Sequence, residues 1–95
     1  MDSHFVYFLY SPSSDIYYVG ESGNVNLRLS YHNHLNPNSF TAKHRPWKLL
    51  KAVDVHSRSR ARKIERYIKK RKSRKYVQDL INNEILLFKL LNKFP

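Results

Sequence analysis

Residues 17–34 read YYVGESGNVNLRLSYHNH, and no other stretch limits the fold as tightly. Tyr17, Tyr18 and Val19 are aromatic and β-branched, which favours a strand. Gly20 stands at the expected turn. The four residues after it, Glu21, Ser22, Gly23 and Asn24, have turn chemistry, with Ser22 or Asn24 able to cap a helix. A helix is expected over residues 25–33. At about 100° per residue, Val25 and Leu29 share one face of it and Leu27 and Tyr31 another. Arg28 and His32 fall between those apolar groups, which leaves Asn26, Ser30 and Asn33 for solvent. A strand must hand over to a short helix that carries a guanidinium and an imidazole on its inward half. Such groups are costly there unless they have a task.

The rest of the chain narrows what that task is. Ninety-five residues make one domain with a modest core and leave no room for a second. There is no cysteine, which excludes disulfides and thiolate metal sites. The histidines at 4, 34, 44 and 56 have no zinc-type spacing. No apolar run approaches the roughly 20 residues of a membrane span, and the first residues lack a signal-peptide pattern, so a soluble, cytoplasmic protein is expected. A formal charge of +11 is large for this length and points to a polyanion, most often nucleic acid. A basic membrane-surface protein fits less well, because the charges do not lie opposite one wide apolar face.

In chain order, residues 4–10 (HFVYFLY) read as a well-buried first strand and residues 16–19 as its hairpin partner across a Ser-Pro loop. Residues 34–46 suggest an exposed loop in which Pro37 and Pro46 exclude regular structure. A third strand over 47–55 takes Trp47, Leu49 and Val53 as its apolar positions. Ser57 caps a helix to about residue 71 with Ala61, Ile64 and Ile68 inward; a break near Ser73 starts another to about 81. Asn82 and Asn83 form a joint to a last helix, EILLFKLLNKF, apolar on most sides. That segment, 84–95, is expected to be largely buried, packed on the 1–83 domain or on a second copy as a homodimer contact.

Three separated pieces now combine. Val6-Tyr7 closes the first strand motif, Tyr18-Val19-Gly20 follows ten residues later, and Arg28 and His32 sit eight and twelve residues past that glycine. With Thr41, the segment HRPWKL at 44–49, and Ala61, Glu65, Ile68 and Lys69 in the later helix, the chain over residues 4–81 resembles the GIY-YIG nuclease domain, most closely its small stand-alone bacterial members. The first motif departs from the family's, since Phe5-Val6-Tyr7 keeps only the tyrosine. The family's late asparagine falls on Asn82 or Asn83, and the spacing does not choose between them.

The resemblance implies an α+β fold with a small three-stranded antiparallel sheet flanked by helices, and metal-dependent hydrolysis of DNA phosphodiesters. That reaction needs a carboxylate for a cation, a base for water, and donors for phosphate charge. Glu65 is the metal candidate, the one acid among eleven lysines and arginines between residues 58 and 75. A single carboxylate suits Mg²⁺ or Mn²⁺; the plainer alternative is an i,i+4 partner for Lys69. Arg28 has the fork for a phosphate, or else forms a structural ion pair with Asp15 or Glu21. Tyr7 is the family's proposed water base and Tyr18 orients water or phosphate, while both could simply be core tyrosines. His32 could relay a proton or hold the phosphate. Lys43 and Arg45 on the loop, and Arg62, Arg66, Lys69, Lys70 and Lys72 on the basic helix, are candidate sequence-independent phosphate contacts. The alternative reading is a nucleic-acid-binding module of the same fold that no longer cuts. Branched, nicked and single-stranded DNA all remain open as substrates.

Overall fold

The computed structural model describes residues 3–34 and 39–95. Pro37 lies outside them. Among the described residues the order is β1 (Phe5–Ser11), β2 (Ile16–Ser22), α1 (Val25–His34), a 3-10 turn (Phe40–His44), β3 (Lys48–Asp54), α2 (Arg58–Arg71), α3 (Arg74–Asn82) and α4 (Glu84–Asn92). The strands form one antiparallel sheet, order β2-β1-β3, flanked by the four helices. The fold is α+β. No helix among the described residues is long and apolar enough to cross a membrane.

β1 is central, so both of its faces are covered, and its period-2 alternation sorts its side chains into two unlike cores. Val6 and Phe8 point to one side, where they meet Val19, Ala61, Ile64, Ile68, Leu80, Leu87 and Leu90. Tyr7 and Leu9 point to the other, against Trp47, with Tyr18, Val25 and Leu29 around them. The first core is aliphatic and carries three helices; the second is aromatic and is roofed by α1 and the 3-10 turn.

Helix ends follow the expected caps. Ser57 Oγ accepts from Arg60 N at 3.1 Å, and Ser73 Oγ accepts from Tyr76 N at 3.0 Å. Asn83 Oδ1 accepts from Ile85 N and Leu86 N, so the joint residue closes α3 and opens α4. Asn24 caps α1, taking Leu27 N at 3.0 Å. On α1 itself, Leu27 is 62 % exposed rather than inward.

Two strand expectations change. Gly20 is not a turn residue: β2 runs through it to Ser22, and it pairs directly with Tyr7. Its backbone is not left-handed. A Cβ there would lie 2.4 Å from Tyr7 Oη, so the glycine is required because the tyrosine ring lies across it. In β3, pairing steps from Phe8↔Lys51 to Leu9↔Leu49, which makes Leu50 a bulge. The bulge reverses the alternation, so Leu49 lies on the aromatic face while Val53 joins the aliphatic one. α4 buries Leu87 and Leu90 in its own domain, and its Ile85 and Phe88 are exposed on this single chain. Arg60 holds its end, donating to the carbonyls of Leu91 (2.9 Å) and Phe94.

Candidate active site

The aromatic face ends in a polar centre built on Tyr7. Tyr7 is 1 % exposed, and its hydroxyl lies 2.9 Å from Nε2 of His32, itself 2 % exposed. Only two residues separate α1 from β2, and that short link brings His32 back over the sheet. Tyr18 completes the cluster, its ring 6.4 Å from Tyr7 and edge-on to His32 at 4.8 Å between centroids. The other imidazole nitrogen, His32 Nδ1, is buried without a hydrogen-bond partner among the described residues. A bare lone pair is cheaper to bury than an N–H, so the favoured tautomer places the proton on Nε2, donating to Tyr7 Oη.

Arg28, one turn before His32, sits with its guanidinium 4.8 Å over the Tyr31 ring. Neither proposed ion pair forms: Asp15 is taken by Arg74 at 2.6 Å, and Glu21 by His4. Arg28 instead acts on the buried pair. Burial pushes the Tyr7 phenol up to about 12, with a hydrogen bond from Arg28 pulling the other way. Burial, then the positive charges of Arg28, Arg45 and Lys69, hold His32 down at about 4. The two shifts run in opposite directions, and both keep the pair neutral, with the proton on Tyr7 and the imidazole uncharged.

Glu65 comes from the other side of the sheet. α2 packs along β2, and the Ala61–Ile64–Ile68 stripe faces the aliphatic core. That rotation leaves Glu65 and Lys69 to reach round the edge strand. Lys69 Nζ stands 5.2 Å over the Tyr18 ring, and the Glu65 charge acts on Tyr7. Glu65 pairs with Lys69 at 3.2 Å, as the plainer alternative required, while its side chain stays partly open to solvent. It lines a depression of about 330 Å³ with Glu21, Arg58, Arg62, Arg66 and Lys69. Glu21 was weighed in the sequence only as a turn residue and an ion-pair partner for Arg28; reading β2 as continuous through Gly20 would have put it on the α2 side.

The structure thus draws Tyr7, Tyr18, Arg28, His32 and Glu65 into one neighbourhood. Of the candidate DNA contacts, Arg62, Arg66, Lys70 and Lys72 are exposed on α2 and its end, and Lys43 on the 3-10 turn. Arg45 differs. Its guanidinium donates to the carbonyls of His32 and, at 3.4 Å, Tyr31, so it braces the end of α1. Asn33, expected in solvent, clamps Trp47 by accepting from its N–H at 2.6 Å and donating to its carbonyl at 3.1 Å. Neither Asn82 nor Asn83 lines the Glu65 depression, and the Asn83 side chain is committed to capping α4.

The domain is thus a small antiparallel sheet with a buried polar centre on one face and a basic helix on the other. The family comparison agrees: the model of the GIY-YIG catalytic domain matches residues 3–77, and the chain belongs to that nuclease family. No curated protein and no solved structure matches it.

Proposed function

We propose that this protein is a metal-dependent endonuclease that hydrolyses DNA phosphodiester bonds in the cytoplasm. The observation that carries the reading is Glu65, the one acid of the basic helix, lining a depression with Glu21 and the cationic Arg58, Arg62, Arg66 and Lys69. The donor set fits a hard cation. Glu65 offers a partly open carboxylate, Glu21 lines the same depression, and sulfur is absent from it. Among the described residues no third histidine or acid joins them. One or two carboxylates suit Mg²⁺ or Mn²⁺, which keep several waters and accept phosphate oxygens. When bound, such a cation supplies positive charge against the phosphate.

This chain's own groups do the rest. Arg28 donates to the phosphate oxygens and stabilises charge that develops on them. Tyr18 orients the attacking water, and Tyr7 receives the water's proton as phenolate, once its own proton has passed to solvent. With its phenol pushed up to about 12 by burial, Tyr7 is a poor base at neutral pH. Extra positive charge near Glu65 lowers that value, and the His32 N–H steadies the phenolate. Arg62, Arg66, Lys69, Lys70, Lys72 and Lys43 hold the flanking backbone by charge, without reading bases.

The Glu65–Lys69 pair favours a second reading, a binding module of the same fold in which Glu65 only buttresses α2. A cleavage assay on a panel of DNA structures, run with Mg²⁺, Mn²⁺ and chelator, tests the choice. Metal-dependent nicking of any member supports the enzyme; binding without cleavage across the whole panel supports the module.

A further inference from the structure

β2 is an edge strand, and its free edge borders a groove of about 390 Å³ between the strand and the α2–α3 corner. Its floor is apolar, made by Ile16, Val19, Ile68 and Val77. Its rim is cationic, with Lys69, Lys72 and Arg74, and no acid lines it. Tyr18 and Lys69 belong both to this groove and to the candidate active site, so the two are continuous. The volume falls within the roughly 300–1,000 Å³ of small-ligand pockets.

Two features of the rim bear on the occupant. Arg74 is already paired with Asp15 and stacked 5.2 Å over Tyr17, which makes it a fixed wall. Lys72 is exposed and caps α2 in the left-handed conformation, φ 49°, where glycine or asparagine is preferred. A lysine kept at that strained position holds a positive charge at the mouth of the groove. The apolar floor calls for a flat, weakly polar body, and the rim calls for negative charge on either side of it. A base-paired duplex cannot supply this, because its bases are stacked inside. An unpaired nucleotide can, with its base on the floor and its phosphates at Lys69 and Lys72.

We propose that the β2-edge groove takes an unpaired nucleotide of the DNA strand next to the cleaved phosphate. The site then favours flaps, bubbles or single strands over blunt duplex. This rests on the nuclease reading above, and it names the substrate structure that reading leaves open.

The test uses the whole protein in chelator, so that binding is read without cleavage. A 2-aminopurine base is placed in a short single-stranded flap, and affinity is compared with a blunt duplex of equal length. The expected result is a change in 2-aminopurine emission on binding and an affinity for the flap at least about tenfold higher, in the range of one good stacking contact. Val77→Trp fills the groove; the flap preference should vanish while affinity for blunt duplex stays within about twofold. Lys72→Gly suits the left-handed backbone and removes the charge, so the salt slope for flap binding should fall by about one. If Val77→Trp fails to fold, the Lys72→Gly slope decides: an unchanged slope overturns the proposal. Equal affinity of the wild type for flap and blunt duplex also overturns it, as does a folded Val77→Trp that keeps the preference. A clear preference for the same flap in RNA overturns the DNA assignment. Steeply salt-dependent blunt binding with no preference removes only this inference. Absence of DNA binding removes the nuclease reading as well.

Discussion

The two faces of β1 are built from the same strand by alternate residues, yet they do different work. On one side Val6 and Phe8 meet mainly aliphatic side chains from three helices. On the other, Tyr7 meets Tyr18, His32 and Trp47, and its hydroxyl is hydrogen-bonded to an imidazole with an unpartnered nitrogen. The first face is where burial supplies stability, at about 1.5–3 kcal/mol for each large aliphatic or aromatic side chain. The second gives up some of that stability to keep ionisable groups dry and aimed. Bulk apolar burial and the buried polar centre are divided across one sheet of this 95-residue domain.

The division predicts opposite phenotypes. The largest effect belongs to the aliphatic face. Phe8→Ala, at a fully buried position, should cost about 3–5 kcal/mol of unfolding free energy by urea titration. Whatever remains folded should bind DNA normally. Arg28→Ala should do the reverse, lowering turnover by about two orders of magnitude or more with a nearly unchanged urea midpoint. An Arg28→Ala protein that unfolds but cuts at the normal rate would merge the two faces into one.

Acid should attack the polar face selectively. Unfolded histidine protonates near 6.5, whereas buried His32 resists until about 4. Between those values the unfolded state binds more protons, so stability falls as pH falls through that window. His32 alone accounts for a loss on the order of 3 kcal/mol. Urea midpoints of wild type and His32→Gln, taken from pH 7 to 4, should converge by that amount. Parallel curves would mean that His32 is not held neutral.

Gly20→Ala sharpens the comparison at the smallest scale. One methyl group against the Tyr7 hydroxyl should cost about 1–3 kcal/mol of stability as overpacking. It should cost more in turnover, because Tyr7 must move off His32. A stability loss alone would show that the placement of Tyr7 is not critical.

Much of this was legible in the residues. The aromatic run of β1, the serines at 57 and 73, and the Ala61–Ile64–Ile68 stripe give local signals, and each names its element. Glu65 could be placed at the edge of that stripe because helical periodicity extends over its neighbours. What escaped depends on partners far away in the chain. Gly20 looked like a turn because the residues after it have turn chemistry; its true reason is Tyr7, thirteen positions earlier, crossing over it. Asn33 looked like a solvent residue because its partner, Trp47, lies fourteen positions on. The Leu50 bulge reversed the β3 pattern, and the brace that Arg45, a candidate DNA contact, gives the end of α1 spans thirteen positions and left no local signal.

The most direct test of the central claim is Glu65→Gln, with turnover measured in Mg²⁺ and DNA affinity measured in chelator on the same preparation. The substitution keeps length and hydrogen-bonding capacity and removes the charge a hard cation needs. Turnover should fall by about two orders of magnitude or more, while affinity holds or rises, since a carboxylate near phosphates repels them. A wild type with no metal-dependent cleavage on any substrate, and a Glu65→Gln protein changed only in melting temperature, would contradict it and leave Glu65 as the partner of Lys69.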